Sequence, residues 1–193
     1  MGEKQKRLYP VLIGLVAFVA IWVVFLFNTS DSDKASEASH FVGAKISNVN
    51  VLDGGGQSMT LYSALESPDA PYTLISMWAT WCAPCIEELP LLEAREQYFK
   101  NNGVALMLMN YDIGTQDVPT RKKVTDWLNE NRINLATNFD PAEGLLESLS
   151  VYALPYNVLL SKDGEILYVK NGLFEEDKIM AAIRNHGEMA KEN

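Results

Sequence analysis

With 193 residues, 48% of them apolar and 21% charged, the chain has room for one ordinary globular domain and an appendage. Its formal net charge of −9 argues against nucleic acid as a partner. The only two cysteines lie three positions apart, and no internal repeat is visible.

The appendage comes first. Leu8 to Phe27, LYPVLIGLVAFVAIWVVFLF, is twenty residues without a charge, about the length of a helix that spans a bilayer core. A cleaved signal peptide is the competing reading, but the run exceeds the roughly 7 to 15 apolar residues usual there. The nearest small-residue candidate for cleavage, SEAS at 36–39, also lies well downstream. Lys4, Lys6 and Arg7 precede the run, whereas residues 28–45 carry only Lys34 and Lys45, which predicts an N-terminus on the cytoplasmic side. Residues 1–7 are therefore read as a basic cytoplasmic flank, 8–27 as a transmembrane anchor and 28–40, NTSDSDKASEASH, as a flexible linker. Residues 41–193 form the domain, expected outside the cytoplasm, in the periplasm of a bacterium. Without residues 1–27 the chain holds 13 basic and 24 acidic residues, a solvated acidic surface.

Within the domain, KISNVNVLDGGGQSMTL suggests two short strands around a glycine turn at 53–56. YTLISMWA, 72–79, is a buried-strand run, and a helix opens at the cysteines that follow. VALMLMN, 104–110, reads as a strand, 119–132 as a helix and ATNF, 136–139, as a short strand. Asp140 and Pro141 suit the N-cap and first turn of a helix running to about Leu149. YNVLLS and EILYVK flank Lys162-Asp163-Gly164 as a hairpin, and residues 175–187 close the chain as a helix. The alternation predicts an α/β fold with a mixed central sheet covered by helices on both faces.

The chemistry concentrates in WATWCAPCIEELP, 78–90. A Cys82–Cys85 disulfide closes so short a ring that the loop-entropy relation gives roughly 2 kcal/mol, against about 4.7 for a 100-residue loop. It makes a poor staple. A lone C-x-x-C supplies two of the four ligands of a structural zinc site, and only His40 and His186 could add imidazoles. Two vicinal thiols are, however, what reversible thiol–disulfide exchange requires, because the second must reach the mixed disulfide formed by the first. No cofactor beyond that dithiol is called for.

W-x-x-W-C-x-P-C after a buried strand, with VYALP some seventy residues later before a hairpin, resembles the thioredoxin superfamily. Trp78 to Pro90, the element inserted between Asn110 and Asp140, and the N-terminal anchor resemble its TlpA/DsbE-like branch. These are membrane-tethered thiol–disulfide oxidoreductases outside the cytoplasm, many of them reductants in cytochrome c maturation. The resemblance implies a protein substrate bearing a disulfide, with apocytochrome c one candidate, and a thiol-reductant donor in the cytoplasmic membrane. Some cytochrome-maturation members follow the proline of VYALP with an acidic residue; Tyr156 stands there in this chain and weighs against that particular substrate.

By this resemblance Cys82 is the exposed attacking thiol and Cys85 the more buried resolving one. Ala83 and Pro84 between them bring no positive charge, which favours a reductant over an oxidant. Ser76, six before Cys82, occupies the place where many thioredoxins keep a buried acid. Glu88, three after Cys85 and on the same helix face, is expected to move the proton instead; ordinary helix-end charge, shared with Glu87, is the alternative. Trp78 is expected in the core, whereas Trp81 lines the substrate face. Pro90 is expected to kink its helix. A cis Leu154–Pro155 bond is implied, holding Leu154 where an extended substrate segment can pair with its backbone.

Two other classes also use this fold or these thiols. A docking module without chemistry needs no cysteines. A peroxidase or oxidase usually shows T-x-x-C and a supporting arginine, whereas Thr80 is two before Cys82 and Arg95 lies far along the helix.

Overall fold

Strand-forming runs and capped helices alternate along the chain. The structure, a computed structural model, describes residues 18, 19, 22, 40–66 and 70–192. In order these are β1 (Asn50–Leu52), β2 (Ser58–Thr60), α1 (Leu61–Leu65), β3 (Tyr72–Trp78), α2 (Ala83–Asn101) and β4 (Val104–Asn110). There follow α3 (Val118–Glu130), β5 (Thr137–Phe139), α4 (Gly144–Ser148), β6 (Tyr156–Ser161), β7 (Ile166–Asn171) and α5 (Glu176–Glu192).

The strands form one mixed sheet in the order β2-β1-β5-β4-β3-β6-β7, with β3 parallel to β4 and antiparallel to β6. Alternation along the strands divides the core into two layers. Leu74 and Trp78 of β3, Leu108 of β4 and Leu159 of β6 pack with Leu89 and Leu92 of α2, Val124 and Leu128 of α3 and Ile179 of α5. The intervening Ile75, Met77, Met109 and Val158 pack with Leu61 and Leu65 of α1 and Leu145 of α4. Helices therefore cover both faces, and each fully buried leucine contributes about 1.5–3 kcal/mol.

Three local expectations are corrected. Leu61 begins a helix rather than ending a strand, because the Thr60 side chain accepts from Ser63 N–H as an N-cap. The helix expected from Asp140 starts at Gly144, with Glu143 as N-cap in the left-handed region at φ 56°. Asp140 still serves it from outside, its carboxylate accepting from Gly144 and Leu145 N–H at 3.1 and 2.8 Å. The last helix runs on to Glu192, beyond the expected end at 187. Pro90 lies inside α2, which continues to Asn101. The β6–β7 turn does use Gly164 at φ 77°, where a Cβ would stand 2.7 Å from the Tyr62 ring.

The predicted anchor at 8–27, apart from residues 18, 19 and 22, and the flank and linker before His40 lie outside the described residues. Among the described residues no helix is long and apolar enough to cross a membrane.

Candidate active site

Three segments meet at the end of β3. Trp78 stands level with Asn110 of β4, and Tyr111 N–H donates to the Trp78 carbonyl at 2.8 Å. On the other side Met77 pairs with Tyr156, which brings Pro155 to the same end of the sheet.

The chain leaving β3 enters α2 with Cys82 as N-cap, its backbone extended at φ −89° and ψ 99°. Helix N-termini present N–H groups without intrahelical partners, and one of these, Cys85 N–H, donates to Cys82 Sγ at 3.3 Å. Pro84 sits in the first turn, where its missing N–H removes no helical bond. The donor and the helix dipole both favour a thiolate at Cys82 once the pair is reduced.

Cys82 and Cys85 are joined as a disulfide with Cα atoms 5.2 Å apart. The expectation of an exposed Cys82 needs correction: it is 4% exposed in this oxidised form, and Cys85 is at 0%. What surrounds the sulfurs at the surface is Ala83, Pro84 and Trp81, the last 66% exposed, while Trp78 is fully buried.

Below the disulfide lies a polar cage. Ser76 of β3 and Asn157 of β6 face one another in register, on the layer covered by α2. Glu88, 1% exposed, reaches into the space they leave. Ser76 Oγ donates to Glu88 Oε2 at 3.1 Å, and Asn157 Nδ2 donates to Oε1 at 2.9 Å. Phe174 N–H adds a third donor, to Oε1 at 2.7 Å, and Asn157 Nδ2 also reaches the Gly172 carbonyl at 3.0 Å. Burial pushes the Glu88 carboxyl above its ordinary range, and the donors of Phe174, Asn157 and Ser76 pull it partly back. Helix-end charge is not its role, nor that of Glu87: α2 begins at Ala83 and has no acidic residue in its first turn.

The Leu154–Pro155 bond is cis, as the resemblance implies. The Pro155 carbonyl accepts from Gly172 N–H at 2.8 Å, which ties the loop to the end of β7. Leu154 is half-buried, and its N–H and C=O have no partner among the described residues. Tyr156 is only 3% exposed, so its side chain is no surface determinant of substrate.

Two further residues shape the site. Asp112 fixes the approach to the cysteines, accepting from Thr80 N–H and from its hydroxyl, each at 2.8 Å. Asn157 shares the cage with Ser76. Its signal was present in YNVLLS, where one amide stands in a buried run otherwise apolar up to its last residue. Neither histidine approaches the cysteines in a metal-like cluster: His186 meets the Tyr72 hydroxyl at 3.2 Å, and no group of three or more His, Cys, Asp or Glu suited to a metal occurs among the described residues.

A mixed sheet layered by helices, a disulfide across a helix N-cap and a cis-proline at the same sheet end define a thioredoxin-like dithiol protein. The chain belongs to the AhpC/TSA family, whose profile matches residues 42–169. It is similar to the thiol-disulfide oxidoreductase ResA of Bacillus subtilis (strain 168), 26% identical over 183 residues and covering 92% of each chain. It is also similar to the thiol:disulfide interchange protein DsbE of Escherichia coli (strain K12), 28% identical over 167 residues, 81% of this chain and 82% of that one. Its fold matches the thioredoxin domain of a thiol-disulfide oxidoreductase from Bacteroides vulgatus with a TM-score of 0.57 at 19% identity, over 75% of this chain and 96% of that one. The chain is a thiol-disulfide oxidoreductase of the ResA/DsbE type.

Proposed function

We propose that the protein is a reductant of protein disulfides, tethered to the cytoplasmic membrane by residues 8–27 with its domain in the periplasm. The observation that carries the reading is a vicinal disulfide whose first sulfur accepts a helix N-terminal N–H while a buried carboxyl sits one turn below the second. In the reduced protein, Cys82 thiolate attacks one sulfur of the substrate disulfide, forming a mixed disulfide and releasing the other sulfur as a thiolate. Cys85 passes its proton to Glu88, attacks Cys82 Sγ and frees the second substrate thiol, leaving Cys82 and Cys85 oxidised. A membrane thiol donor then returns two electrons and two protons. Trp81, Ala83 and Pro84 contact the substrate around its cysteine, and the open backbone of Leu154 pairs with it.

The absence of a cation in Ala83-Pro84 supports the reducing direction, because further thiolate stabilisation would raise the oxidising power of the pair. The charge-free run and the basic flank support the tether. Equilibration with glutathione and dithiothreitol should place the potential nearer thioredoxin's, about −270 mV, than that of the strong oxidant DsbA at about −120 mV. In cells, Cys85→Ser should hold its substrate as a mixed disulfide through Cys82, with apocytochrome c the first candidate to look for. A potential on the oxidant side, or no covalent adduct at Cys82, defeats the reading.

A further inference from the structure

Between Trp81 and the element inserted after β4 runs a groove of about 410 Å³, distinct from the Leu154–Pro155 side of the site. Its floor is stiff. The Trp127 ring lies 5.6 Å from that of buried Trp78, whose indole N–H donates to Thr137 Oγ1 at 3.1 Å. Its outer wall is Ile113, 94% exposed, at the tip of a loop fastened on both sides. Before the tip, Asp112 holds Thr80 through two hydrogen bonds; after it, Arg121 donates to the carbonyls of Thr115 and Gln116, both at 2.8 Å. A large apolar side chain held in water on a loop so restrained is preorganised for a contact, since little ordering remains to be done on binding.

The lining holds one carboxylate, Asp112, and one ammonium, Lys123, and they differ in how far they are engaged. Asp112 spends both carboxylate oxygens on Thr80. Arg121 is committed to the loop carbonyls, and Lys122 to Asp126 at 2.6 Å. Lys123, exposed and lining the groove, has no partner among the described residues. Because Trp81 is bonded directly to Cys82, a substrate segment seated in the groove would lie beside the attacking sulfur.

We infer that this groove reads the substrate segment flanking the target cysteine, taking a large apolar side chain between Trp81, Ile113 and Trp127 and an acidic one at Lys123. The inference rests on the reductase reading above.

Symmetric peptide disulfides test it without assuming chain direction: two copies of Glu-Leu-Gly-Cys-Gly-Leu-Glu joined through cysteine, and versions with Ser for Leu, Lys for Glu, or both. The second-order rate of oxidation of the reduced full chain is measured for each. The parent should prefer Leu over Ser about tenfold, the lower end for a side chain filling an apolar pocket. It should prefer Glu over Lys about threefold at low salt, a preference that fades at high salt. Lys123→Glu should invert the charge order, and Ile113→Ser should shrink the Leu preference to below about threefold. Ratios within each variant cancel any change in overall activity. Equal rates for all four peptides, or an unchanged charge order in Lys123→Glu, overturns the groove while leaving the reductase reading standing. Failure to consume even hydroxyethyl disulfide overturns both. A concentration-dependent dimer that Ile113→Ser dissolves assigns the groove to a second copy of this chain and overturns the substrate assignment.

Discussion

Among the described residues two carboxylates are almost wholly buried, Asp140 and Glu88, each 1% exposed, and they are held in opposite ways. Asp140 lies in the loop before α4 and accepts from two N–H groups of that helix's start and from the Tyr111 hydroxyl at 3.0 Å. These donors are backbone ends and a phenol, and they tie three segments together. Glu88 lies in the second turn of α2, past the free N–H groups of its start, and takes its donors from three other places: β3, β6 and the chain after β7. The first arrangement repairs a helix terminus. The second brings a carboxyl under a disulfide and keeps it there, at the cost of desolvation that raises its proton affinity.

The comparison breaks most visibly in stability. Asp140→Ala strips the acceptor from two backbone N–H groups and a buried hydroxyl, and should lower unfolding stability by about 3 kcal/mol, since each stranded group costs about 1–3. Urea unfolding of the oxidised protein measures this. Disulfide exchange per folded molecule should stay within a factor of about two; a tenfold loss would make Asp140 part of the chemistry and erase the distinction.

Glu88→Gln should do the reverse. Gln can still accept from Asn157 and Phe174 and can donate to Ser76 Oγ, so the cage survives. Release of a mixed disulfide held at Cys82 should nevertheless slow about 100-fold, the lower range for loss of a positioned acid–base group. The attack step should change less than about threefold. Rapid-quench measurement of the two steps separates them, and equal slowing of both would remove Glu88 from proton transfer.

How far these roles could be read from the sequence depends on the distance over which each is encoded. Cys82 at a strand-to-helix turn was legible because hydrophobic runs and a C-x-P-C motif are local. So were β3 and β4, whose boundaries follow continuous apolar runs, and the Asp163-Gly164 turn. Ser76 was read only as a missing acid, because its partnership with Asn157 depends on a register between strands eighty residues apart. The same limit applies to the partner of Asp112, since Thr80 lies across a parallel strand pair. Asp140 was legible as a cap but misplaced by three residues, since the left-handed turn at Glu143 lets the carboxylate reach the helix from farther back.

Burial of Glu88 has a smaller consequence in the pH dependence of stability. Its carboxyl titrates above the ordinary value of 4.5 in the folded protein, so the folded state binds the proton more tightly than the unfolded chain. From about pH 4.5 upward through the folded value, the native protein therefore carries more protons, and stability must fall as pH rises. This sign is opposite to that of a salt-bridged carboxylate. Above the window the loss is complete and the curve levels. Urea midpoints of the parent and Glu88→Gln, both oxidised, should diverge across that range, with the variant gaining on the parent as pH rises. Parallel curves would mean the carboxylate is as well solvated folded as unfolded.

The finest test concerns Ser76, the weakest of the three donors that pull the Glu88 carboxyl back down. Its hydroxyl is the one donor to Oε2 among the described residues, whereas Oε1 has both Asn157 and Phe174. Ser76→Ala leaves a small side chain on the strand and no new polar group, so it should cost only about 1 kcal/mol of stability. Removing a donor that favours the ionised form raises the carboxyl further, so the pH at which mixed-disulfide release reaches half its maximum should move upward. Attack by Cys82 should keep its own pH profile, because the thiolate is favoured by Cys85 N–H at the other end of the helix turn. Glu87→Gln is the control: Glu87 is exposed and outside the cage, and its loss should leave the midpoint of release where it was. If Ser76→Ala and Glu87→Gln give the same midpoint as the parent, the hydroxyl fills space between β3 and α2 and does not set the proton affinity of Glu88.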